Sequence, residues 1–201
     1  MKWVTFRTRV GPHAGFIDGT DIVDLGSAPL QSWFGREDDA RTSGGERIPL
    51  ADADLMQPVE RPGKILGIGV NYADHAKESV SFTNIKAGGV QKWFVKQATA
   101  ANGPFDPVER PAVSTDLDYE GEIVVVIGKR AKHVPANRAM EVVAGFCAGC
   151  DYSVRDWQKA SPTVNMGKGF DTHAPFGPWI VTPDEIGALD EIGVRSFVNG
   201  E

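Results

Sequence analysis

The chain has 201 residues, 41% of them hydrophobic and 24% charged, the proportions of a soluble globular protein with one large domain or a small and a medium one. A net charge of −6 with no basic cluster argues against a nucleic-acid surface, and no run of about eighteen apolar residues offers a membrane span. Glycine (23) and proline (13) are frequent, which favours short strands and turns over long helices.

Charges among Met1–Arg9 break the apolar stretch that a signal peptide needs, so cytoplasm is the expected compartment. Residues 1–61 read as a small N-terminal β domain. Trp3 to Arg7 alternates as a strand, His13 to Gly19 reads as the return of a hairpin, and Asp21 to Leu25 as a third strand. Gly35 to Gly45 is an exposed loop or frayed helix, and Arg61-Pro62-Gly63 is a linker to the second unit, 62–201.

Lys64 to Val70 is the next strand. Its Gly-x-Gly lacks the third glycine of a dinucleotide fingerprint, so close backbone approach is the better account. Asn71 to Glu78 then turns into a short helix. On it His75 and Glu78, three apart, share a face, and a carboxylate that fixes the imidazole tautomer makes the pair a general base. A solvated surface pair is the alternative. Ser79 to Val90 has the composition of a lid, and Trp93 to Lys96 restores a strand.

Ile123 to Ile127 is five apolar residues, all of them β-branched, and reads as a buried strand. Glu120 and Glu122 precede it at i and i+2, so in an extended chain both carboxylates leave one face. Two like charges at a sheet's entrance are costly without a proton or cation, and hard divalent cations take carboxylate oxygens. Two solvated acids at a strand end remain the alternative. Asn137 to Val143 reads as a short helix feeding a small-residue strand that holds Cys147 and Cys150, read as inert buried thiols. Asp151 ends that strand, where it can meet Glu120 and Glu122 across the sheet.

Ser153 to Gln158 turns into a helix with Arg155 and Gln158 three apart, and Lys168 is flanked by glycines that suit close approach to a ligand or an ordinary surface turn. Trp179 to Val181 is a strand. Thr182 to Ile186 carries a capping box with proline at the first helical position. Val194 to Val198 alternates as a strand, and Asn199-Gly200 is a two-residue hairpin signal. The chain then stops, so it reads as cut mid-fold, with a natural protein expected to continue past Glu201 and the isolated polypeptide expected to aggregate.

From Lys64 onward the chain resembles the fumarylacetoacetate hydrolase family. The resemblance rests on Asn71 to Glu78, Asp118-Tyr119-Glu120-Gly121-Glu122, Gly149 to Gln158 and Lys168 to Thr172, in the family's order and spacing. It implies an α+β, mostly β fold: a mixed β roll or sandwich behind a small N-terminal β domain, in a homodimer, with the C-terminal part of the roll missing. It implies Mg²⁺, or Mn²⁺ or Ca²⁺, on Glu120, Glu122 and Asp151. His75 and Glu78 match its catalytic dyad on a lid, and Arg155, Gln158 and Lys168 its substrate-contacting positions. Gln97 stands where the family often has proline after the lysine that Lys96 matches.

The implied reaction is hydrolytic cleavage of a C–C bond in a small 1,3-diketo or 2-oxo acid. The cation polarises the carbonyl, His75 activates water, Lys168 stabilises the oxyanion and Arg155 pairs with a substrate carboxylate. Decarboxylation, hydration or isomerisation of a 2-oxo diacid uses the same chemistry. A non-catalytic cation-binding β module is the other class; it needs the three carboxylates but not His75 and Glu78.

Overall fold

Trp3, Val4, Thr5 and Phe6 are consecutive and all buried, which an alternating strand achieves only when both its faces are covered. They form the middle of β1 (Lys2–Thr8) in the structure, a computed structural model that describes residues 1–72 and 91–201. Trp3 packs with Met1, Phe16 and Ile180 on one side of the sheet, and Val4 and Phe6 meet Ile22 and Leu55 on the other.

The expected N-terminal strands are present. β1 runs into β2 (Gly11–Asp18) as a full hairpin, β2 pairs with β3 (Asp21–Asp24), and β3 with β4 (Arg47–Pro49). β5 (Asp54–Met56) pairs with Thr5 to Arg7 of β1. After the linker, β6 (Ile65–Gly69) and β7 (Lys92–Lys96) form a separate two-stranded sheet. There follow β8 (Ala101–Asn102), β9 (Leu117–Asp118), β10 (Gly121–Ile127), β11 (Val143–Cys150), β12 (Ser153–Val154) and β13 (Ala174–Val181). The main sheet has the order β10-β11-β13-β1-β2-β3-β4, with β5 and β8 attached to its sides. The boundary read at residue 61 falls between β5 and β6, yet hydrogen bonding crosses it, because Lys2 and Trp3 pair with Val181 and Ile180.

Three local readings need correction. β10 ends the main sheet, and of its apolar run only Val126 is buried; Val125 and Ile127 are 49% and 59% exposed, so the run is an edge strand. Val194 to Val198 is irregular. Asn199 and Gly200 do adopt positive φ, 52° and 84°, but a strand needs a partner for its backbone groups and none among the described residues pairs here. The capping box at Thr182 does not close. The helix Pro183–Ile186 forms with proline in its first turn, but the Thr182 hydroxyl and the Glu185 carboxylate both accept from the Met1 α-ammonium instead. The helix read near Asn137 is a 3-10 helix, Ala136–Val142. No helix among the described residues is long and apolar enough to cross a membrane.

Candidate functional site

The antiparallel register of β10 and β11 places Gly121 opposite Cys150, and the ladder extends one step further as the Asp151 N–H donates to the Glu120 carbonyl at 2.8 Å. Opposed residues of such a pair project from the same face with Cβ atoms about 5 Å apart. Two carboxylates thus leave the sheet end side by side. The Lys168 ammonium resolves their repulsion, donating to Glu120 Oε2 at 2.8 Å and to Asp151 Oδ2 at 2.7 Å.

Lys168 arrives there because of the glycine before it. The one-turn helix Asn165–Lys168 packs against the helix Arg155–Ala160 so closely that a Cβ on Gly167 would lie 2.4 Å from Gln158 N and 2.6 Å from Val154 O. That approach carries Lys168 into the interior, where it is 2% exposed, with Nζ 4.9 Å from the centre of the Phe94 ring. Val95 N–H donates to Asn165 Oδ1 at 3.1 Å, docking the short helix on β7.

The outer oxygens of the two carboxylates are held by other cations. Arg155 donates through NH1 to Glu120 Oε1 at 2.6 Å and to Gln158 Oε1 at 2.9 Å. Its Nε and NH2 both reach Asp118 Oδ2, at 2.8 and 2.7 Å. Four of the five guanidinium donors are thereby engaged inside the protein. Lys96 donates to Asp151 Oδ1 at 2.5 Å and to the Tyr152 carbonyl at 2.9 Å. On β7 the alternation buries Phe94 and Lys96 and exposes Trp93 and Val95. Lys96, read from sequence as part of a strand and as the match of a family lysine with no role given, is 4% exposed and one of the two buried lysines of the cluster.

Burial works to raise the Glu120 carboxyl, but the charges and hydrogen bonds of Lys168 and Arg155 outweigh it and hold Glu120 below the usual carboxylate range. Glu122, two residues on, is raised, first by burial and then by the neighbouring charges of Glu120 and Asp151; its Oε2 accepts from the Tyr72 hydroxyl at 3.1 Å. Burial pulls the Lys96 ammonium down, against the attraction of Asp151. His173, which sequence reasoning passed over, is fully buried behind Asp151, its Nε2 2.9 Å from the Glu109 carbonyl and its ring against Tyr152 and Phe170. Burial lowers its pKa, which keeps the ring neutral. Cys147 and Cys150 are free; burial pushes Cys147 up to about 12 and also raises Cys150.

Of the residues read from sequence as a site, Glu120, Glu122, Asp151, Arg155, Gln158 and Lys168 therefore meet at one end of β10 and β11. His75 and Glu78, with the Ser79–Val90 segment, lie outside the described residues. Among the described residues no three histidine, cysteine or acidic side chains are arranged as a ready cation cage. The donors nonetheless suit a hard divalent ion chemically. They are all carboxylate oxygens, Glu120 and Asp151 already converge on one cation, and Glu122 feels both of their charges.

The family model for the fumarylacetoacetate (FAA) hydrolase C-terminal region matches residues 64–201. A human protein named oxaloacetate tautomerase FAHD2A, mitochondrial, is 34% identical over 220 residues, an alignment spanning 100% of this chain and 69% of that protein. Among solved structures, a fumarylacetoacetate hydrolase from Exiguobacterium antarcticum superposes with a TM-score of 0.78 at 32% identity, over 92% of this chain and 67% of that one. A 5-carboxymethyl-2-hydroxymuconate delta-isomerase from Mycobacterium smegmatis gives 0.72 at 33% identity, over 91% and 67%.

Proposed function

Because this chain belongs to the fumarylacetoacetate hydrolase family of enzymes, we propose that it interconverts keto and enol (or double-bond) isomers of a small 2-oxo diacid. The observation that carries this reading is the buried Glu120–Lys168–Asp151 bridge. A buried ion pair is poor value as a stabilising device, since well-packed apolar side chains of equal volume do as well. An ammonium held at the inner edge of a carboxylate pair is suited to meeting the oxygen of an enolate as charge develops there.

Glu120, Asp151 and Glu122 would hold a divalent cation, Mg²⁺ by the resemblance, whose Lewis acidity lowers the pKa of carbons next to a 2-oxo carbonyl. Arg155 fixes Glu120 and Asp118, and the one N–H that no described residue takes, with the Gln158 amide, would meet a substrate carboxylate. Lys168 neutralises the enolate oxygen. His75, oriented by Glu78, removes the proton from carbon and returns it at the other position. The same residues support hydrolytic C–C cleavage when His75 acts on water, a second reading favoured by the close superposition on the Exiguobacterium antarcticum hydrolase. The non-catalytic module gives way to the enzyme family. The homodimer implied by the resemblance is part of this proposal and is tested by light scattering.

Deuterium exchange at the carbon beside the 2-oxo group, followed by proton NMR with oxaloacetate in D₂O, separates the two. Exchange faster than in buffer, abolished by EDTA and without loss of carbon, supports isomerisation. Cleavage of acylpyruvates with no accelerated exchange of oxaloacetate would replace it by the hydrolase reading.

A further inference from the structure

The four inner and outer oxygens of the Glu120 and Asp151 carboxylates are not equivalent. The outer ones, Glu120 Oε1 and Asp151 Oδ1, are taken by Arg155 and Lys96, both anchored elsewhere as well, on Asp118 and on the Tyr152 carbonyl. The inner ones, Glu120 Oε2 and Asp151 Oδ2, are shared, among the described residues, by Lys168 alone. A divalent ion bridging those two carboxylates at ligand distances of ~2.0–2.6 Å would occupy the space that Nζ now fills. Both cannot sit there. Charge adds to the competition: three cationic side chains already face Glu120 and Asp151, with Asp118 on Arg155 and Glu122 on the same strand as the further acids.

We propose that Lys168 is the placeholder which an arriving divalent cation displaces, so that loading the ion and freeing the ammonium for an anionic substrate are one event. This deepens the proposed function and rests on it. The consequence is an order of binding, cation first and 2-oxo acid second. Without the ion the residue meant for the substrate's oxygen is locked on Glu120 and Asp151. The same bridge compensates the two carboxylates in the interior. The outer cations stay in place throughout, which keeps both carboxylates aimed at the inner position. Phe94 offers the released ammonium a cation–π surface on its way.

Mn²⁺ binding is measured by titration calorimetry, with free Mn²⁺ counted by electron paramagnetic resonance, for the protein, for Lys168→Met and for Arg155→Met. Arg155→Met removes the same charge from the same Glu120 but from its outer oxygen, so it reports the general effect of charge. Displacement predicts that Lys168→Met binds Mn²⁺ about tenfold tighter or more, while Arg155→Met changes affinity less than about threefold. Equal effects of the two variants, or no tightening in Lys168→Met, overturn the inference while leaving the metal reading intact. Absence of Mn²⁺ binding by the unaltered protein removes both. Should circular dichroism show Lys168→Met unfolded, acetic anhydride labelling of the unaltered protein, read by peptide mass spectrometry, decides. Lys168 labelling must rise with Mn²⁺ over EDTA while Lys96 labelling does not; an unchanged Lys168 rate refutes displacement.

Discussion

Lys96→Met tests the least expected member of the cluster. The substitution keeps the buried stem and removes an ammonium that is 4% exposed and bonded to Asp151 Oδ1 and the Tyr152 carbonyl. Asp151, itself only 11% exposed at its side chain, keeps Lys168 on Oδ2 but loses its outer partner. Breaking a buried pair by removing one member costs about 3–5 kcal/mol, because the remaining charge stays desolvated. Two effects pull toward the lower end. Lys168 still faces Asp151, and burial already penalises the Lys96 charge, as its lowered pKa shows. A loss of about 3 kcal/mol is therefore expected, and at ~2–4 °C per kcal/mol for a chain of this size the melting temperature should fall by roughly 6–12 °C. Differential scanning calorimetry at neutral pH with EDTA reads this directly. The double variant Lys96→Met/Asp151→Asn should recover part of the loss, since it removes the stranded charge as well. A single variant within about 2 °C of the parent, or a double variant that merely adds the two losses, would refute the claim that Lys96 compensates Asp151.

Gly167→Ala places a methyl against the Gln158 and Val154 backbone, which cannot yield as a side chain would. The short helix must shift, and both stability (about 1–3 kcal/mol) and Mn²⁺ affinity should change, checked by calorimetry; a silent variant would mean the close packing does not position Lys168. Cys147, pushed up to about 12, is a neutral thiol at any pH at which the protein is handled, and burial raises Cys150 in the same direction. Alkylation needs the thiolate, so iodoacetamide at pH 8 should modify neither until denaturant is added, as peptide masses will show. His75→Ala should lower turnover by about 10²-fold or more and leave Mn²⁺ affinity nearly unchanged; equal turnover would return His75 to the surface.

What the sequence disclosed follows from what is local. Period-two alternation found β1, short apolar runs between turn residues found β2, β6 and β7, and the turn at Gly19 with φ of 65° is of the kind that glycine marks. The paired carboxylates were legible because Glu120 and Glu122 are two apart and Asp151 ends the next long strand. Strand order was not. Nothing in Trp3 or Lys2 says that β1 will pair with β13, where Lys2 meets Val181, 179 positions along the chain. Edge status was equally hidden, because the Val125 and Ile127 side chains have the same character on an edge as at a centre. The capping box failed for a similar reason: Thr182 and Glu185 have the right spacing, but the Met1 ammonium, brought in by β1, competes for both.

The lysines show where such a reading stops and why. The like charges of Glu120 and Glu122, with Asp151 within reach, called for a proton, a cation or solvent, and sequence spacing could not choose among them. Two kinds of cation would serve, a metal ion from solution or an ammonium from the chain, and the choice depends on whether a lysine can reach. Lys168 reaches because Gly167 has no Cβ, and Lys96 because it shares the buried face of β7 with Phe94. Neither fact concerns the carboxylates. On the displacement proposed above, the two answers are successive rather than exclusive. A lysine suits such displacement because its single charge and flexible stem make it easier to move than an arginine fork. That distinction matches the layout observed, with Arg155 fixed on Asp118 and the outer oxygen of Glu120, and the lysine on the inner pair.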